Sequence, residues 1–85
     1  MHNTDDRAAI LWRLRARHTT ATCVLQPLAV GALLTLLQDD DVVFREAFPD
    51  AHLAEARARA LRARLQGKGW HAVPIANAGC GRRRA

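Results

Sequence analysis

Residues 19–38 read TTATCVLQPLAVGALLTLLQ, twenty residues without a charge. Arg13, Arg15 and Arg17 precede the run and Asp39, Asp40 and Asp41 follow it, an asymmetry that fits the positive-inside pattern of a membrane span. A span needs about 20 predominantly apolar residues. Here Thr19, Thr20, Thr22, Gln26, Pro27 and Thr35 dilute the run. Pro27, near its middle, would break a spanning helix and leave backbone groups unpaired in lipid. A cleaved leader fits little better, because LLQDDD stands where a small-x-small cleavage site belongs. The run is therefore expected to split at Pro27 and to form soluble core, with no membrane partner and a cytoplasmic location.

Working outward, residues 19–25 are rich in β-branched side chains and predict a short strand. Pro27 suits the first turn of a helix over residues 27–38. Leu28, Val30, Leu33, Leu34, Leu36 and Leu37 would cover most of that helix, leaving a narrow strip at Gly31, Thr35 and Gln38 where another backbone can approach. Upstream, Asn3 or Thr4 caps a helix that runs to about Arg17, with Ile10, Leu11 and Leu14 on one side and Trp12 on the other. Downstream, the three aspartates turn into VVFREAF, a short helix with Phe44 and Phe48 at i, i+4. Asp50 caps a last helix over residues 51–66, and Gly67 ends it. WHAVPI, residues 70–75, predicts an edge strand able to pair with residues 19–25. The expected fold is mostly α: three main helices and one short helix, with at most a minor two-stranded β element (α+β). Residues 1–76 would form a single compact helical domain and residues 77–85 a flexible basic tail.

With 85 residues, 49% of them hydrophobic and 25% charged, the chain is one globular domain with a small core. Its charge is polarised. Through Asp50, five arginines stand against seven acids; beyond it, seven arginines and Lys68 stand against Glu55 alone. That asymmetry points to an anionic partner for the C-terminal half, although arginine outnumbers lysine twelve to one, as GC-rich codon usage also produces. Cys23 and Cys80 lie too far apart for a dense disulfide scaffold and read as free thiols.

Few residues carry recognisable chemistry. His2, His18, His52, His71, Cys23 and Cys80 show none of the short spacings of a structural zinc site, so no metal and no cofactor is expected. Cys23 sits in an apolar strand that would raise its pKa, the reverse of an activated nucleophile. GKG at residues 67–69 lacks the length and the following Ser or Thr of a phosphate loop. The three aspartates lack the spaced ligands of a calcium loop. No catalytic residue is assigned, and the chain is read as not an enzyme.

Binding is the remaining class. On the last helix, Ala54, Ala58, Leu61 and Leu65 form the apolar face, and Arg57, Arg59, Arg62 and Arg64 ring the remainder. Glu55 is placed to pair with Arg59 at i, i+4. Trp12, bordered by Arg13 and Arg17, is the residue type that anchors protein interfaces. The expected partner is a protein surface met by Trp12, Arg13, Arg17, Arg57, Arg59, Arg62 and Arg64. The alternative is nonspecific nucleic-acid binding through Arg59, Arg62, Lys68, Arg82, Arg83 and Arg84. Base-reading Asn, Gln, Ser or Thr is missing from the helix before Gln66, and only Trp70 offers a stacking ring nearby. A homodimer through Trp12 or the Gly31 strip fits either reading.

Trp12, the run Arg57, Arg59, Arg62 and Arg64, and the acidic Asp39, Asp40 and Asp41 sit in a short chain rich in arginine and alanine. In this combination the chain resembles the small phage-encoded inhibitors found in GC-rich bacterial hosts, anti-CRISPR proteins among them. The resemblance implies a stoichiometric inhibitor that binds a CRISPR effector complex and blocks DNA recognition. Many such inhibitors are acidic and imitate nucleic acid. This chain is basic, so mimicry would be confined to its N-terminal half.

Overall fold

A computed structural model describes residues 8–74 of the chain. Four strands run as an antiparallel meander: β1 (Ala9–Ala16), β2 (Thr19–Pro27), β3 (Ala32–Gln38) and β4 (Asp41–Phe48). One helix, α1 (Ala51–Gly67), follows, and then β5 (His71–Ala72). The sheet order is β4-β3-β2-β1-β5. Every neighbouring pair is antiparallel, so β4 and β5 point the same way from opposite edges. Such a connection needs a crossover. The 17 residues of α1, about 25 Å long, supply it and pack across one face of β1 to β4.

The expectation of a mostly helical protein is thus corrected: the chain is mainly antiparallel sheet with a single helix. Three segments read as helix are strands. Around β1, Trp12, Leu14 and Ala16 alternate with Arg13, Arg15 and Arg17, a period of two that sends the first set toward α1. The helical reading arose from Ile10, Leu11 and Trp12, three consecutive apolar residues. A β-bulge between Ile10 and Trp12 accounts for them, with Leu11 as the extra residue. In residues 27–38 the apolar run splits into a turn and β3. Gly31 takes a φ of +87°, and the Leu28 amide donates to the Gly31 carbonyl at 3.1 Å. VVFREAF lies in β4, the edge strand, in keeping with its β-branched and aromatic content.

The strand expected over residues 19–25 is present within β2. The segment after Trp70 also forms an edge strand, but it pairs with β1 rather than β2. α1 starts as expected at Asp50, whose Oδ1 accepts from the His52 amide at 2.7 Å. It runs one residue further than expected, with Lys68 as C-cap and Gly69 at φ +101°. The expected cap at Asn3 or Thr4 and the tail at residues 77–85 lie outside the described residues.

The core lies between the sheet and α1. Leu14, Cys23 and Leu34 are fully buried, with Trp12, Ala21, Ala32, Ala54 and Ala58 around them. Two alanines at the helix contact let α1 sit close to the sheet. The Trp12 indole N–H donates to the Ala58 carbonyl at 3.0 Å in that interior, which satisfies its one polar atom. Among the described residues no helix is long and apolar enough to cross a membrane.

Candidate functional site

The bulge at Leu11 turns two consecutive side chains, Leu11 and Trp12, toward α1. Beside them lies a groove of about 220 Å³, lined by Leu11, Trp12, Ala58, Glu55, Arg59 and Arg62. Its floor is apolar and its helical wall is charged. Arg59 and Arg62, one turn apart and both exposed, have no ion-pair partner among the described residues. Glu55 instead lies 3.9 Å from His52 Nδ1, so the expected Glu55–Arg59 pair is not formed. At the groove's open side, β5 covers β1 only at Leu14 and Arg15, with one more bond from the Val73 amide to the Arg13 carbonyl at 2.9 Å. Pro74 follows and has no N–H to extend the ladder. Among the described residues, no strand covers the backbone edge of β1 before Arg13.

The other sequence-chosen residues are dispersed. Trp12 is 6% exposed, a core residue whose edge forms the groove floor rather than a surface anchor. Arg13 points to the opposite face of the sheet, where its Nε donates to Thr22 Oγ1 at 3.2 Å. Arg17 occupies the β1–β2 turn at φ 58°, and its carbonyl accepts from Arg15 Nε at 3.4 Å. Arg57 lies on the β4 side of α1, its guanidinium 5.6 Å from the Phe44 ring centre. Arg64 is exposed two turns further along that flank, and Lys68 caps the helix. Arg82, Arg83 and Arg84 lie outside the described residues. The basic run therefore divides into two flanks rather than forming one continuous patch.

The two expected dimer surfaces are occupied within the chain. Trp12 is buried, and a Cβ built on Gly31 would strike the Phe48 carbonyl and Pro49. The close backbone approach inferred for the Gly31 strip is thus met by the end of β4.

Sequence reasoning missed the helix-free face of the sheet. A shallow depression of about 400 Å³ runs there along β2, floored by Thr20, Thr22 and Val24. Ile10 and Arg13 wall one side; Leu37, Asp39 and Asp40 wall the other. Asp39 is built into the turn: its amide donates to the Thr20 carbonyl at 2.7 Å, and its Oδ1 accepts from the Thr20 amide at 3.1 Å. Strict alternation across residues 12–17 was the signal that would have revealed this face.

Cys23 is a free thiol with no exposed surface. Burial pushes its pKa up to about 11 from 9.0, which disfavours the thiolate as nucleophile or ligand. Among the described residues no group of three His, Cys, Asp or Glu is placed to hold a metal ion. Comparison with known proteins finds no matching family model, curated protein or solved structure.

Proposed function

We propose that the chain is a small non-catalytic binding protein of the cytoplasm that holds an extended acidic segment of a protein partner in the groove between β1 and α1. The supporting observation is the juxtaposition, among the described residues, of an uncovered strand edge, an apolar floor at Leu11, Trp12 and Ala58, and the unpaired Arg59 and Arg62. Strand addition uses each part separately: main-chain bonds to the edge supply affinity, and pockets for alternate side chains supply selectivity. A carboxylate meeting either arginine makes a charge-assisted, bidentate contact. The inhibitor expectation then specifies the source of the segment, a protein subunit of a CRISPR-type effector complex. One-to-one loss of target-DNA binding by such a complex would support that narrower proposal.

The test is a peptide library displayed on phage, selected on the full chain and counter-selected on Arg59→Glu/Arg62→Glu. Enriched peptides are expected to carry Asp or Glu beside an apolar residue, and to bind the variant about tenfold or more weakly. No enrichment, or peptides that bind both proteins equally, would overturn the reading.

A second reading, a nonspecific nucleic-acid-binding accessory protein, is favoured by Arg59, Arg62 and Arg64 all being exposed and forming no ion pair among the described residues. Anisotropy with labelled single- and double-stranded DNA and RNA separates the two. Binding that falls steeply with salt and is lost in the same variant supports phosphate recognition.

A further inference from the structure

An antiparallel sheet with one solvated face shows polar residues on that face. β3 does not. Ala32, Leu34 and Leu36 face α1, yet Leu33 and Leu37 face away from it, joined by Ile10 and Val24 from the neighbouring strands. Val42, beside Leu37 on β4, is 50% exposed. A strand apolar on both sides is the pattern of one that is covered on both sides.

We infer that a second copy of this chain covers the helix-free face, in an isologous dimer whose two-fold axis runs along β2. Self-complementarity of charge selects this occupant. Across the sheet, Ile10 lies level with Val24 and Thr35, and Arg13 with Thr22 and Leu37. Arg15 lies level with Thr20, which is bonded to Asp39. A two-fold along β2 exchanges the β1 side for the β3 side. It lays Arg15 of each copy over the Asp39–Asp40 turn of the other, Arg13 over Leu37, and Ile10 over Thr35. Val24 then meets its own copy on the axis, the aliphatic stems of Arg13 cover Leu37, and the charges gather at one end, in the aligned arrangement of packed sheets.

The area sets the strength. With the axis on β2, the three strands β1 to β3 overlap, and at ~4.8 Å spacing and ~8 residues of ~3.3 Å rise they give roughly 380 Å² per copy. Two copies therefore bury roughly 750 Å², below the ~1,000 Å² of a stable complex and in the range of a transient pair. The dimer is weak and salt-sensitive, and it uses a surface separate from the β1–α1 groove.

Sedimentation of the full chain over a range of concentrations tests it, with Arg15→Glu and Asp40→Arg prepared separately and in combination. Both positions are exposed, and among the described residues Asp39 rather than Asp40 makes the turn's hydrogen bonds. Wild type is expected to rise toward twice the monomer mass. Each single variant should weaken the dimer by about tenfold or more, because it sets like charges opposite one another. Mixing the two single variants restores opposite charges on both sides of the axis and should recover the dimer. The double variant, which reverses both signs, should recover it alone. Arg59→Glu/Arg62→Glu should dimerise as wild type. A wild-type chain that stays monomeric, or folded single variants that dimerise unchanged, would overturn the inference. So would failure of both the mixture and the double variant to recover.

Discussion

The two faces of the sheet are built from alternate residues of the same strands, yet they are different environments. Toward α1, β1 contributes Trp12 and Leu14, β2 Ala21 and Cys23, and β3 Ala32 and Leu34, all buried. Away from it, the same strands contribute Ile10 and Arg13, Thr20, Thr22 and Val24, and Leu33 and Leu37. Folding free energy resides mainly on the first face, where apolar area leaves water. The second keeps aliphatic side chains interspersed with threonine and arginine, a composition suited to a surface that is covered only part of the time. One chain thereby separates stability from recognition by a single-residue step along each strand.

The sharpest way to break that comparison is a pair of identical truncations on β3. Leu34 is fully buried, so Leu34→Ala should cost about 2–5 kcal/mol, from lost transfer energy and the cavity left behind. Leu37→Ala should cost under about 1 kcal/mol in dilute solution, since its side chain already borders water there. Urea unfolding at low protein concentration measures both. Equal costs would mean that the second face is as tightly packed as the first.

Gly31→Ala probes the corner where the covered face closes. A methyl group there meets the Phe48 carbonyl and Pro49, and the backbone holds a φ of +87°. Crowding and the left-handed conformation together should cost about 2–4 kcal/mol. A near-neutral result in thermal unfolding would mean that β4 can move away from this turn.

Dryness of the covered face can be read from Cys23. Its thiol ionises at about 11 in the folded chain against 9.0 ordinarily. Between those values the unfolded chain has released the proton and the folded chain retains it, so stability must fall as pH rises. The contribution is intact below pH 9 and lost progressively toward pH 11, a total of about 2–3 kcal/mol. Cys23→Ala should lower stability at neutral pH and flatten the alkaline decline. A wild-type curve as flat as the variant's would indicate that water reaches the thiol.

How far these features were legible depends on which period each segment carries. α1 was readable in detail because Asp50, the Ala54, Ala58, Leu61 and Leu65 stripe and the glycines near its end agree with one another. β2 was readable because its threonines and valine favour strand and Pro27 bounds it. β3 was not, since an apolar run covered on two sides has no period to distinguish helix from strand. β1 was hidden by its bulge, which puts Ile10, Leu11 and Trp12 in succession and breaks the alternation that resumes at Arg13. The groove residues Arg59 and Arg62 could be picked from charge. Their neighbour Leu11 could not, because its position depends on that same bulge.

The smallest effect concerns the turn that joins β1 to β2. Arg17 holds φ 58° and Asp39 φ 59°, each opening a two-residue connection between strands. Asp39 is suited to that conformation and is bonded to Thr20. Arg17 has neither advantage: its side chain gains nothing from the turn, and a non-glycine residue there carries strain. Arg17→Asn should therefore stabilise the chain by about 0.5–1 kcal/mol in thermal or urea unfolding. The equivalent change at Asp39, Asp39→Asn, should gain nothing, because the native residue already tolerates the conformation and accepts the Thr20 amide. If Arg17→Asn destabilises instead, the arginine is held by a contact on the helix-free face, and that face is more ordered than its exposure implies.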